Sequence, residues 1–95
     1  MSIAYLNGTF LPLDEARISP MDRGFLFGDG IYEVIPSYGG KMVGFGPHIS
    51  RMNDGLSAIG INHKWSESQW RDLCTRLCED NGNGNLGIYL HVTRG

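Results

Sequence analysis

Arg51, Tyr32 and His48 are the side chains of this 95-residue chain whose types and spacing could do chemistry. An arginine offers a planar, permanently charged fork that grips a phosphate or carboxylate through two parallel hydrogen bonds, which the point charge of a lysine cannot match. Arg51 falls on the second turn of an expected helix opened by Gly46-Pro47, and His48 stands three residues before it. Tyr32 lies in a strand-like run, where a phenol has few rotatable bonds and presents its hydroxyl at a defined place. Val34 and Pro36 point to the same side as Tyr32. Each residue also has a plainer reading: Arg51 as a surface arginine paired with Asp54, Tyr32 as a core aromatic, His48 as a helix-capping or interface histidine. The residue types alone leave both readings open.

The elements that must hold these side chains are legible in outline. Asn7-Gly8 is the favoured two-residue hairpin turn, because both central positions need positive φ, so residues 4–11 read as a hairpin closed by Pro12. Asn7-Gly8-Thr9 also matches a glycosylation sequon, but the turn is the simpler reading. Residues 13–30 carry Ser19-Pro20, Gly24, Gly28 and Gly30 and read as a long connection with one helical turn, a length more often functional than decorative. Ile31 to Tyr38 is the next strand, with Tyr32, Val34, Pro36 and Tyr38 on one face and Ile31, Glu33, Ile35 and Ser37 on the other. Gly39-Gly40 turns the chain into a short strand near Met42-Val43. A helix follows from Gly46-Pro47, with Ile49, Met52, Leu56 and Ile59 on one stripe and Arg51 on its flank. A second helix opens with a capping box, Ser66 and Gln69, and a hydrophobic staple, Trp65 and Trp70. Its buried stripe is Trp70, Leu73, Cys74, Leu77 and Cys78. Leu86, Ile88, Leu90 and Val92 alternate along a last strand that ends at Thr93-Arg94-Gly95. This order predicts an α+β, two-layer sandwich: a mostly antiparallel sheet with two helices on one side.

Composition narrows the function classes. The chain is 41% hydrophobic and 19% charged, with a net charge of -2, which is an ordinary globular balance that advertises no nucleic-acid or acidic-membrane partner. No apolar run reaches the roughly 18 residues of a membrane span, and no signal peptide is visible, so the cytoplasm is the default. Cys74 and Cys78 are too few for a disulfide framework and lack further ligands for a metal, so they read as buried, reduced thiols. Gly28-x-Gly30 and Gly44-x-Gly46 each begin a dinucleotide fingerprint but lack its third glycine. Asp14-Glu15 and Glu79-Asp80 read as solvated charge, and His63 and His91 as structural. Lys41 and Lys64 fall in a turn and before a helix, which are solvated contexts unsuited to a Schiff base.

Taken in order, Asp22-Arg23-Gly24-Phe25-Leu26-Phe27-Gly28-Asp29-Gly30-Ile31-Tyr32-Glu33-Val34 and then His48-Ile49-Ser50-Arg51 resemble the cofactor-pocket segment of the class IV (fold type IV) pyridoxal-phosphate aminotransferases. The pattern is most like the D-amino-acid aminotransferase-like branch, and it runs from Tyr5-Leu6-Asn7-Gly8 to Val92-Thr93-Arg94-Gly95. The resemblance implies that residues 1–95 are the N-terminal lobe of such an enzyme, with the Schiff-base lysine and a glutamate against the pyridine nitrogen on a C-terminal lobe outside this chain. No catalytic residue is then expected within residues 1–95.

By the same resemblance Arg51 contacts the phosphate of pyridoxal 5'-phosphate, with His48 supporting it. Tyr32 helps hold the substrate carboxylate, and Val34 and Pro36 shape the side-chain pocket. Some relatives carry a basic residue where Pro36 stands, so a distal carboxylate on the substrate finds less help here. In D-amino-acid-type members an Arg-x-His pair shortly after Thr-Arg-Gly binds the substrate carboxylate, and Arg94 does not match it. The implied reaction is a double-displacement transamination between an amino acid, D-alanine-like, and a 2-oxo acid, in a homodimer. Two alternatives remain: an aminodeoxychorismate lyase of the same fold, and a free-standing, non-catalytic interaction module of 95 residues.

Overall fold

A computed structural model describes residues 1–95. The hairpin forms as expected: β1 (Ile3–Leu6) pairs antiparallel with β2 (Thr9–Pro12), and Leu6 faces Thr9 across the turn. Asn7 and Gly8 take φ of 49° and 92°, the left-handed pair that such a turn demands. A 3₁₀ turn (Leu13–Glu15) and a five-residue helix α1 (Arg23–Phe27) interrupt the long connection. Asp22 caps α1 by accepting from the Gly24 N–H at 2.8 Å. The central strand β3 (Gly30–Tyr38) follows, then β4 (Lys41–Met42), α2 (Phe45–Ala58), α3 (Glu67–Asp80) and β5 (Asn85–Thr93).

Every strand pair is antiparallel, and β3 lies between β4 and β5. The alternation read from the sequence holds. Glu33, Ile35, Ser37, Ile88 and Leu90 are buried under the helices, while Tyr32, Val34, Tyr38 and Tyr89 face outward. One difference concerns the hairpin, which forms a sheet of its own and docks on α3 instead of extending the main sheet. Asn81, at the end of α3, makes that joint. Its amide donates to the Ile3 carbonyl at 3.0 Å, its side-chain oxygen accepts from the Ile3 N–H at 2.9 Å, and it also donates to its own helix at Leu77. The Arg76 guanidinium lies 3.6 Å from the centre of the Phe10 ring and covers the hairpin's aromatic side.

The core is one cluster of Ile35, Phe45, Ile49, Met52, Leu56, Trp70, Cys74, Cys78, Ile88 and Leu90. Ile49, Met52 and Leu56 of α2 and Trp70, Cys74 and Cys78 of α3 point into it, with Leu73 and Leu77 packed against it. Ile59, expected on the α2 stripe, does not, because the helix ends at Ala58 and Ile61 packs on the core instead. Helix α2 begins at Phe45, one residue before the expected Gly46, because Gly44 adopts the left-handed conformation (φ 67°) and turns the chain into the helix. Pro47 is tolerated there because first-turn N–H groups have no intrahelical acceptor. The capping box of α3 is complete, and Trp65 packs edge-on to Trp70 with centroids 4.9 Å apart, closing the staple. Both cysteines are free and buried, and burial pushes the Cys74 thiol up to about 12, so it stays protonated and inert. No helix is long and apolar enough to cross a membrane.

Candidate active site

Arg51 and His48 converge on Glu33. Glu33 is only 5% exposed, on the helix-covered face of β3, where an unpaired carboxylate would be strongly disfavoured. The Arg51 guanidinium meets it side-on, with Nε donating to Oε2 at 2.8 Å and Nη2 to Oε1 at 2.7 Å. Nδ1 of His48 lies 2.6 Å from the same Oε1. The fork of Arg51 holds the Glu33 carboxyl below its usual range, against the opposing effect of burial and with a further contribution from His48. An ionised carboxylate only accepts, so the hydrogen of the His48 contact is carried on Nδ1 and Nε2 is left free.

The two ends of Arg51 therefore do different things. Nε and Nη2 are committed to the buried acid, while the side chain as a whole is 72% exposed and Nη1 has no protein acceptor. The acid fixes the fork, and the outer edge of the fork faces solvent with its donors unspent. That suits an anion carrying several oxygens, such as a phosphate. Asp54 is not the partner of Arg51. The sequence reading also missed Glu33, although a signal was available: an acidic residue at an inward position between Ile31 and Ile35 must find a cation, and the next helix offers one.

Tyr32, Val34 and Pro36 lie on the opposite face of β3, as their alternation requires. Across from them on β5 stand His91, Tyr89 and Gly87. Tyr32 stacks on Tyr89 with ring centroids 5.8 Å apart, and the Tyr89 hydroxyl lies 2.9 Å from Nδ1 of His91. His91, read from sequence as a structural residue, thus shares the exposed face with Tyr32. Gly30 permits this end of the sheet to close, since a Cβ there would lie 2.6 Å from the Val92 carbonyl oxygen.

The cation cluster and the tyrosine face are separated by the thickness of one strand. They are not walled off from each other. Strand β4 pairs with β3 only at Ser37 and Tyr38, so no strand covers the β3 edge around Tyr32 and Val34. Arg94 N–H donates to the Asp29 carbonyl and Val43 N–H to the Pro36 carbonyl, which puts the main-chain groups of Tyr32 and Val34 on that open edge. Lys41 and Lys64 are both exposed, as a solvated lysine should be. No group of three or more histidine, cysteine or acidic residues is arranged to hold a metal.

Comparison with known proteins places this geometry. The D-alanine aminotransferase of Staphylococcus epidermidis is 37% identical over 95 residues, which is 100% of this chain and 34% of that protein. The D-alanine aminotransferase of Bacillus licheniformis is 37% identical over 89 residues, covering 94% of this chain and 31% of that one. The chain thus spans about a third of the length of the curated relatives it matches. Among solved structures, a T.th. branched-chain amino acid aminotransferase complexed with N-(5'-phosphopyridoxyl)-L-glutamate superposes with a TM-score of 0.88 at 17% identity, over 99% of this chain and 33% of that one. A fold IV transaminase from Curtobacterium pusillum gives 0.76 at 22% identity, over 92% and 31%. These likenesses show the α+β fold expected from the sequence. The family described as amino-transferase class IV matches residues 30–95, which hold both the Glu33 cluster and the Tyr32 face, and the chain belongs to that family.

Proposed function

We propose that residues 1–95 are the N-terminal lobe of a pyridoxal-phosphate-dependent aminotransferase that moves an amino group between a D-alanine-like amino acid and a 2-oxo acid. One observation carries the reading: a guanidinium fixed by a buried carboxylate, with its outer donors free, beside a strand that presents a tyrosine across an open edge. The Schiff-base lysine belongs to a C-terminal lobe of the longer polypeptide, which works as a homodimer in the cytoplasm.

In this reading Arg51 would hold the cofactor phosphate with the guanidinium donors that Glu33 leaves free. Glu33 keeps the guanidinium from following the ligand or swinging into solvent, and His48 keeps Glu33 from turning. Tyr32 orients the substrate carboxylate, and Val34 and Pro36 line the space for the substrate side chain and exclude water from it. Bound there, pyridoxal phosphate supplies an electron sink that lowers the barrier to proton movement at the substrate Cα.

The test is borohydride reduction of the full-length gene product after incubation with pyridoxal phosphate, read by intact and peptide mass spectrometry. One phosphopyridoxyl adduct on a lysine outside residues 1–95, with amino transfer from D-alanine to a 2-oxo acid, is the expected result. Arg51→Lys, which keeps the charge and loses the fork, should weaken cofactor binding about 10-fold. An adduct accompanied by pyruvate release without an amino acceptor would point to the lyase of the same fold. A 95-residue product with no specific adduct would leave only a non-catalytic module.

A further inference from the structure

We infer that Arg94 is a positioning residue that sets how α2, and with it Arg51, is aimed over the sheet; its bearing on catalysis rests on the reading above. The Arg94 side chain makes a two-pronged ion pair with Asp29, Nε to Oδ2 at 2.6 Å and Nη2 to Oδ1 at 3.1 Å. Nη2 also donates to the Ile59 carbonyl at 2.6 Å, and the main-chain N–H donates to the Asp29 carbonyl at 3.1 Å. One residue at the exit of β5 is therefore bonded to the loop that feeds Tyr32 into β3 and to the C-terminal cap of α2.

The contact with α2 answers a need of that helix. Backbone N–H groups of Ile59, Gly60 and Ile61 close the Gly55, Ser57 and Leu56 carbonyls. The last turn contains no basic residue, however, so no side chain of the helix compensates the negative end of its dipole. Arg94 brings a cation to that end from the sheet. Two polar contacts then tie α2 to the strands, Arg51 and His48 on Glu33 near one end and Ile59 on Arg94 at the other. The apolar stripe of Ile49, Met52 and Leu56 lies between them. The eight residues from Arg51 to Ile59 give a lever of about 12 Å. With the far contact gone, only the apolar stripe resists a tilt of α2 about its Glu33 end. Such a tilt leaves the Arg51 fork in place but turns its outer edge, and binding is sensitive to misalignment of about 10–20°.

A partly exposed ion pair contributes little to global stability. Loss of Arg94 should therefore be felt in the site out of proportion to its effect on folding, a pattern that a merely structural residue would not give. The experiment uses the full-length protein. In Arg94→Gln, amide exchange over residues 56–60 without cofactor should rise about 10-fold. The pyridoxal-phosphate Kd and the amino-donor KM should each rise about 5-fold while kcat stays within about 2-fold. Double exchange, D29R with R94D, restores the loop pair but not the Ile59 bond, so it should keep the weak Kd. If Arg94→Gln does not fold, Arg94→Lys is expected to show a smaller loss in the same direction.

Unchanged exchange and Kd in the folded variant, or full recovery in the double exchange, would overturn the inference. A wild type that binds no pyridoxal phosphate would overturn the functional reading instead, and the exchange data would still decide the role of Arg94.

Discussion

Glu33 organises the candidate site at the scale of single side chains, and its charge has a measurable signature. Its folded pKa lies below its ordinary value because Arg51 and His48 stabilise the carboxylate more than burial destabilises it. Between the two values the unfolded chain binds the proton and the folded one does not, so the cluster stabilises the fold at neutral pH and loses that effect as the medium acidifies through the folded pKa. Asp29 is held low in the same direction by Arg94, but that pair is partly exposed and adds little to the acid limb. Glu33→Gln keeps the shape and removes the charge. It should lower Tm near neutrality, flatten without abolishing the fall in Tm as pH drops below the ordinary glutamate value, and converge on wild type once the folded carboxyl is protonated. Thermal melts of both proteins across that range make the check, and parallel curves would show that the cluster has no linkage to folding.

Elements were the most readable scale, for reasons that also explain what escaped. Tyr32, Val34 and Pro36 could be put on one face because side chains alternate along a strand whatever surrounds them. Ser66, Gln69, Trp65 and Trp70 announced the start of α3 because a cap is satisfied within five residues of chain. Glu33 with Arg51 and Asp29 with Arg94 bridge 18 and 65 residues, and no local period encodes which carboxylate meets which arginine. The separation of the hairpin from the main sheet was hidden for the same reason, since it depends on Asn81 reaching Ile3 across 78 residues. The locally encoded cap also yields a local prediction. Ser66→Ala removes the acceptor for the Gln69 N–H, held at 3.2 Å, and should cost about 1 kcal/mol. In a domain of this size that lowers Tm by about 4–8 °C. A loss of helix signal confined to the start of α3, seen by amide exchange, would tie the change to the cap.

The molecule as a whole shows more surface than its mass warrants. Its accessible area is 6167 Å², roughly 750 Å² more than the about 5,400 Å² expected of a compact monomer of this mass. Only 12 of 95 residues are buried, so the core is thin for a free domain. The uncovered apolar groups fall in two regions. One is the connection before β3, where Ile18, Met21, Phe25 and Phe27 are 66–76% exposed. The other is the sheet face away from the helices, with Tyr32, Val34, Tyr38 and Tyr89. Exposed patches of this kind on a soluble chain mark surfaces that another body covers. Residues 1–95 expressed alone should therefore bind a hydrophobic dye, self-associate with rising concentration and melt over a broad range. Paired substitutions tell the regions apart: Phe25→Ser with Phe27→Ser should relieve association if the loop drives it, and Tyr32→Ser with Tyr89→Ser if the sheet face does. In the full-length protein neither pair should alter dye binding, because both surfaces would already be covered. Sedimentation velocity with dye fluorescence reads all of these. An isolated chain that stays monomeric, ignores the dye and melts sharply would mean that this thin core suffices, and would favour the free-standing module over a lobe of a larger enzyme.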